Sequence, residues 1–93
     1  MTLYLNLQTT NLSDSPFVIS EGYHTYFYIS DIKNIKVTGL ENSVYTDKID
    51  DFGRGIEKTS ITFNHEFDRV YTNSNDCYIE DEKFNRVITI KKS

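Results

Sequence analysis

The sequence predicts an all-β, mainly antiparallel domain spanning residues 1–93: a small β-sandwich or barrel of about seven short strands, with at most one short helix near residues 41–52. Three observations lead there. Alanine and tryptophan are absent and leucine occurs only five times, so the strongest helix former is missing. Ile, Val, Thr, Tyr and Phe run through the whole length, and these side chains suit a pleated, half-buried surface. Apolar and polar residues alternate with period two at residues 3–7, 59–63 and 87–90, the signature of a strand with one covered face.

The elements follow in order. Leu3, Leu5 and Leu7 alternate with Tyr4 and Asn6, which reads as an opening strand. Residues 11–16 (NLSDSP) form a turn cluster, residues 17–20 a short strand, and Glu21-Gly22 a break. Residues 23–29 (YHTYFYI) carry the densest β signal, and residues 35–38 another short strand ending at Gly39. Residues 40–52 fit two readings: Leu40, Val44, Tyr45, Ile49 and Phe52 share a broad helical face, with Asn42 as cap and Gly53 as stop, yet residues 43–46 also suit a strand. Residues 59–63 alternate cleanly, residues 64–66 suit a hairpin turn into a strand at 67–72, and residues 73–76 (NSND) turn again. Short strands at 77–80 and 86–91 close the chain. The expected core is Leu3, Leu5, Leu7, Val18, Phe27, Ile29, Ile35, Val37, Ile61, Phe63, Val70, Ile79, Ile88 and Ile90.

Composition bounds the function. The formal net charge of −4, from 14 acidic and 10 basic residues, argues against direct binding to a nucleic-acid backbone. The single cysteine, Cys77, cannot form an intramolecular disulfide, and its acidic neighbours disfavour the thiolate. The N-terminal residues lack the basic start and apolar run of a signal peptide, and no stretch reaches the length of a membrane span. A cytoplasmic protein is expected, in a host cytoplasm or virion if the source is viral. Abundant Ile, Asn, Lys, Tyr and Phe beside scarce Gly, Ala, Arg and Pro match AT-rich codons, as in a bacteriophage, another virus or a low-GC bacterium.

Two groups of residues stand out as partner-binding candidates. On a strand, His24, Tyr26 and Tyr28 fall on one face and Thr25, Phe27 and Ile29 on the other. With Phe27 and Ile29 inward, the stripe is a row of exposed amphipathic side chains able to anchor a protein or stack on bases or sugars. The loop at residues 47–58 places Asp50 and Asp51 beside Arg54, which is flanked by Gly53 and Gly55. Its carboxylates do not match the alternating ligand spacing of a calcium loop. His65 lies near Glu66 and Asp68, but no spacing joins it to His24 as a metal or acid–base pair. Asp76, Glu80, Asp81 and Glu82 form an acidic patch expected to face water.

No nucleophile–base pair, phosphate loop or metal-ligand set is visible. The expectation is therefore a non-enzymatic protein-binding domain without cofactor or metal, working on another protein or on copies of itself, as a phage or viral assembly component or an inhibitor of a host factor. No direct nucleic-acid or membrane binding is expected. Two alternatives remain: an acidic inhibitor competing with nucleic acid for a basic protein surface, and a small enzyme using His24 or His65 with carboxylates. A sugar-binding module is disfavoured by the lack of Trp.

Overall fold

The computed structural model describes residues 2–6, 8–20 and 24–92. Six strands follow a short 3-10 helix at Ile32–Asn34: β1 Ile35–Thr38, β2 Val44–Asp47, β3 Gly53–Ile56, β4 Arg69–Thr72, β5 Cys77–Asp81 and β6 Arg86–Ile90. They form two three-stranded antiparallel sheets with orders β1-β5-β6 and β3-β2-β4. The all-β antiparallel class is as the composition predicts, with six strands among the described residues where about seven are expected in the whole chain.

In the first sheet, β5 is central. Val37 pairs with Ile79 on β1, and Ile79 pairs with Ile88 on β6. Cys77, Ile79 and Asp81 lie on its covered face, as strand periodicity requires of alternate residues. In the second sheet β2 is central, with Val44 opposite Ile56 on one side and Thr72 on the other. This pairing explains why residues 41–52 do not form a helix. Val44, Tyr45 and Thr46 are β-branched or aromatic, and two flanking strands complete their backbone hydrogen bonds, which outweighs a weak helical pattern. Residues 48–52 instead turn into β3, with Asp51 and Phe52 at positive φ.

One cluster ties the sheets together. Leu40, Ile61 and Cys77 are buried, and Val37, Phe63, Phe67, Tyr71 and Ile90 pack against them. Ile61 exchanges both backbone hydrogen bonds with Val37, at 2.9 and 2.8 Å, so the segment joining β3 to β4 in the second sheet hooks onto the edge of β1 in the first. Gly39 follows β1 at φ 97°; a Cβ there would run into the Asp76 carbonyl and lie 2.9 Å from Cys77 Cα, so only glycine fits.

The N-terminal half corrects the sequence reading. Residues 2–6, 8–20 and 24–29 join no strand, and residues 59–63 contribute only the Ile61 bridge. Of the expected core, Ile35, Ile61 and Ile79 are buried and Ile29, Val37, Phe63, Ile88 and Ile90 half-buried. Leu3, Leu5, Val18, Phe27 and Val70 are exposed, Val18 to 98%. Leu7, the Glu21-Gly22 break and Tyr23 lie outside the described residues. Alternation identifies a face that a sheet could cover, but a strand also needs a pairing neighbour, and Leu3, Leu5, Val18 and Phe27 have none among the described residues. Val70, on β4, is paired with Thr46 on β2 but lies on the exposed face of its sheet. The Cα radius of gyration, 16.3 Å, exceeds the roughly 12 Å of a compact chain of this length.

Burial separates two substitutions that hydrophobicity alone would equate. Ile61→Ala should cost about 2–5 kcal/mol, while Val18→Ala should stay within about 0.5 kcal/mol. Urea unfolding of both variants checks this, and equal midpoints would remove Ile61 from the core.

Candidate functional site

Residues 24–30 run up to the β5–β6 hairpin and are gripped by it. Asp81 is 1% exposed, the most buried side chain among the described residues. Its Oδ2 accepts the Ser30 amide at 2.7 Å, and its Oδ1 accepts the Ser30 hydroxyl at 2.6 Å and the Phe84 amide at 3.3 Å. Burial alone would raise the pKa of Asp81. The bonds from the Ser30 hydroxyl and amide, then the Phe84 amide and the Arg86 charge, outweigh it and leave the carboxyl below its ordinary 3.8. Arg86 donates to the Tyr28 carbonyl oxygen and lies over both the Tyr28 and Phe84 rings, while those two rings stack with centroids 5.6 Å apart. Asp81 was expected in a solvated acidic patch. It shares a strand face with Cys77 and Ile79, and that alternation was the available signal for its burial.

His24, Tyr26 and Tyr28 are exposed, Tyr26 to 92% and Tyr28 to 79%, against 39% for Phe27. They stand on an irregular segment and not on a strand. Among the described residues, His24 makes no hydrogen bond. Asp50, Asp51 and Arg54 lie at the other sheet: Asp50 and Asp51 in the β2–β3 turn, where the Gly53 amide bonds the Asp50 carbonyl at 2.8 Å, and Arg54 exposed on β3 opposite Thr46. No hydrogen bond, ion pair or ring contact among the described residues joins the two groups. His65 sits in an exposed turn with Nδ1 2.7 Å from the Asn64 Oδ1 and its ring edge-on to Phe67.

A second polar cluster, which sequence reading missed, covers one face of β3-β2-β4. Arg69 bonds Asp47 at 3.1 Å and Glu57 at 3.0 Å, and its guanidinium lies 4.2 Å from the Tyr45 ring centroid and 4.7 Å from that of Phe67. Tyr71 donates to the same Glu57 oxygen at 2.7 Å. Burial, then that bond and the Glu57 charge, push the Tyr71 hydroxyl up to about 12, with Arg69 opposing. Asp47 is opposed by burial but held below 3.8 by Arg69 and the amides of Ile49 and Asp50. Gly55 leaves room for Tyr45, since a Cβ would fall 2.6 Å from its ring. Arg69 bridges both carboxylates and Tyr71 bonds one of them, which marks the cluster as a brace between β2, β4 and the residue after β3. A shallow depression beside β1 and β6 carries Lys33, Lys36 and Arg86 against Glu80, Asp81 and Glu82, so it has no net preference for an anion. Among the described residues no group of three or more His, Cys, Asp or Glu converges as a metal site, and no helix is long and apolar enough to cross a membrane.

A sequence profile of the aldose 1-epimerase family matches residues 2–93. The chain belongs to the aldose 1-epimerase family. Three curated relatives share the name "Putative glucose-6-phosphate 1-epimerase". The one from Cenchrus ciliaris is 38% identical over 72 residues, covering 76% of this chain and 22% of its own length. Those from Escherichia coli (strain K12) and Salmonella typhimurium (strain LT2) are each 38% identical, over 80 and 76 residues, covering 84% and 80% of this chain and 27% and 26% of their own lengths. The chain thus spans about a quarter of the length of these relatives. No solved structure is significantly similar to it.

Family membership overturns the expectation of a non-enzymatic protein-binding domain. The phage or viral accessory role, the host-factor inhibitor and the nucleic-acid competitor fall on the same finding. Codon bias reports genome composition and carries no information about chemistry. The missing Trp was also a poor argument against sugars, since Tyr and Phe rings offer apolar faces as well.

Two measurements follow from these contacts. A carboxyl whose folded pKa is depressed contributes stability above its unfolded value and loses it as pH falls through the folded one. Asp81 and Asp47 should therefore hold their contribution above pH 3.8 and lose it below. In thermal unfolding across that range, Asp81→Asn should be less stable at neutral pH and show a shallower acid decline; parallel curves would refute the assignment. Gly55→Ala should displace Tyr45 from Arg69 and cost about 1–3 kcal/mol, read as a lowered urea midpoint.

Proposed function

We propose that this chain contributes the proton-handling segment of an enzyme that interconverts the C1 anomers of an aldose, with a hexose 6-phosphate as substrate. The family match over residues 2–93 carries the reaction class, and the relatives' names support the 6-phosphate. Inverting C1 requires opening the ring. A base takes the proton of the C1 hydroxyl, the bond between C1 and the ring oxygen breaks as C1 becomes a carbonyl, and an acid protonates the released ring oxygen. Rotation about C1–C2 and reclosure with both proton transfers reversed give the other anomer, so atoms and charge balance.

Imidazole suits such exchange because it gives and takes a proton near neutral pH. Of the two histidines, His24 is the better placed. It stands exposed beside Tyr26 and Tyr28, whose rings offer apolar faces to a sugar and hydroxyls to its rim. His65 is bonded to Asn64 within its own turn. Of the earlier alternatives, a histidine enzyme is the one this reading develops.

The test is magnetisation-exchange NMR on the α and β anomers of glucose 6-phosphate. It is run with the chain itself and with the E. coli relative in which the chain replaces the matching segment. Exchange should exceed the spontaneous rate, and His24→Asn should lower it by about 10²- to 10⁴-fold while His65→Asn leaves it essentially unchanged. If neither protein accelerates exchange while the intact relative does, the function is wrong. If only His65→Asn abolishes it, the histidine assignment is wrong.

A further inference from the structure

The geometry points to Asp81 as a positioning residue for the His24–Tyr28 segment, acting through Ser30 and the β5–β6 turn. The inference rests on the reading above in taking His24 as the proton-handling group. Its own basis is a buried charge with an unusual set of donors. Asp81 lies on the covered face of β5, in register with Ile35 on one side and Arg86 on the other. Burying a carboxylate is costly unless donors surround it. The structure provides three, and two of them belong to Ser30, 51 residues away in sequence. The same hairpin also reaches the irregular segment preceding β1 through the Arg86 bond to the Tyr28 carbonyl.

The grip is two-pronged. Asp81 fixes both the amide and the hydroxyl of Ser30, which sets the direction in which the backbone leaves β1 and the 3-10 helix. Two residues earlier, Arg86 takes the Tyr28 carbonyl and Phe84 stacks on the Tyr28 ring. A segment without strand partners is thereby held at two points to a rigid hairpin, and the exposed row that includes His24 continues directly from the outer one. Asp81 touches no substrate in this scheme. It acts by limiting where Tyr28 and His24 can be, and misplacement of about 1 Å is enough to lower a rate by roughly 10²-fold.

Asp81→Asn, Ser30→Ala and Ser30→Thr test this with two readouts. The first is backbone amide exchange in the chain. Asp81→Asn and Ser30→Ala should speed exchange of the Ser30 amide, which Asp81 holds, at least about tenfold, with β2–β3–β4 amides unchanged, and Ser30→Thr, which keeps both donors, should retain protection. The second is anomer exchange per binding-competent molecule, counted by titration with glucose 6-phosphate. Asp81→Asn should lower kcat by about 10- to 100-fold with KM changed less than twofold, and Ser30→Ala in that background should add little. Unchanged amide exchange at Ser30, or an unchanged kcat with KM alone altered, overturns the proposal. If the parent proteins show no epimerase activity, the functional reading fails by itself, and amide exchange still decides whether Asp81 holds the segment.

Discussion

A carboxylate with almost no access to water must find its donors in the protein, and in this fold that demand falls on Asp81. The strand that carries it is the centre of one sheet, so the residue cannot turn outward without losing the Cys77 and Ile79 face as well. Its donors come from the β5–β6 turn and from Ser30, and satisfying them fixes both the turn and the path of the chain into β1. Much of what is ordered ahead of the first strand depends on this one charge. The other sheet is organised on a comparable principle, with Arg69 between two carboxylates and two rings. Each sheet therefore owes its fine placement to a charge neutralised in place, while the apolar cluster of Leu40, Ile61 and Cys77 joins the two.

The sequence disclosed the C-terminal half far better than the N-terminal half. Strands at 69–72, 77–81 and 86–90 lie where alternation put them, because each has neighbours within the chain to complete its hydrogen bonds. Leu3 and Leu5 alternate just as clearly yet remain exposed, since pattern encodes which face could be covered and not whether a partner is present. Residues 40–52 were ambiguous because helix and strand spacings coincide over so short a span, and pairing with β3 and β4 decided the matter. Asp81 was misread for a related reason: three acidic residues in a row look like a solvated run, and only a fixed strand register separates the middle one from its neighbours.

Function was less legible still. The residues that motif reading searched for do not cluster locally, and general acid–base chemistry needs no glycine-rich loop, metal cage or nucleophile elbow. It needs a titratable ring held in place, the role proposed for His24 on its tethered segment. Nothing local distinguishes that histidine from a surface residue. Its proposed role rests instead on what anchors the segment, and those anchors lie more than fifty residues downstream.

The outer strand β3 has a consequence for the behaviour of the isolated polypeptide. It consists of Gly53, Arg54, Gly55 and Ile56, and among the described residues no strand pairs with its far side. An open edge invites foreign chains to add on through backbone hydrogen bonds alone. This edge is only four residues long, carries two glycines that present no side chain to a neighbour, and sets a permanently charged guanidinium between them. A neighbouring strand that settled there would gain little packing and would have to accommodate Arg54. Colloidal stability, as distinct from folding stability, is thus written into the same glycine-flanked arginine.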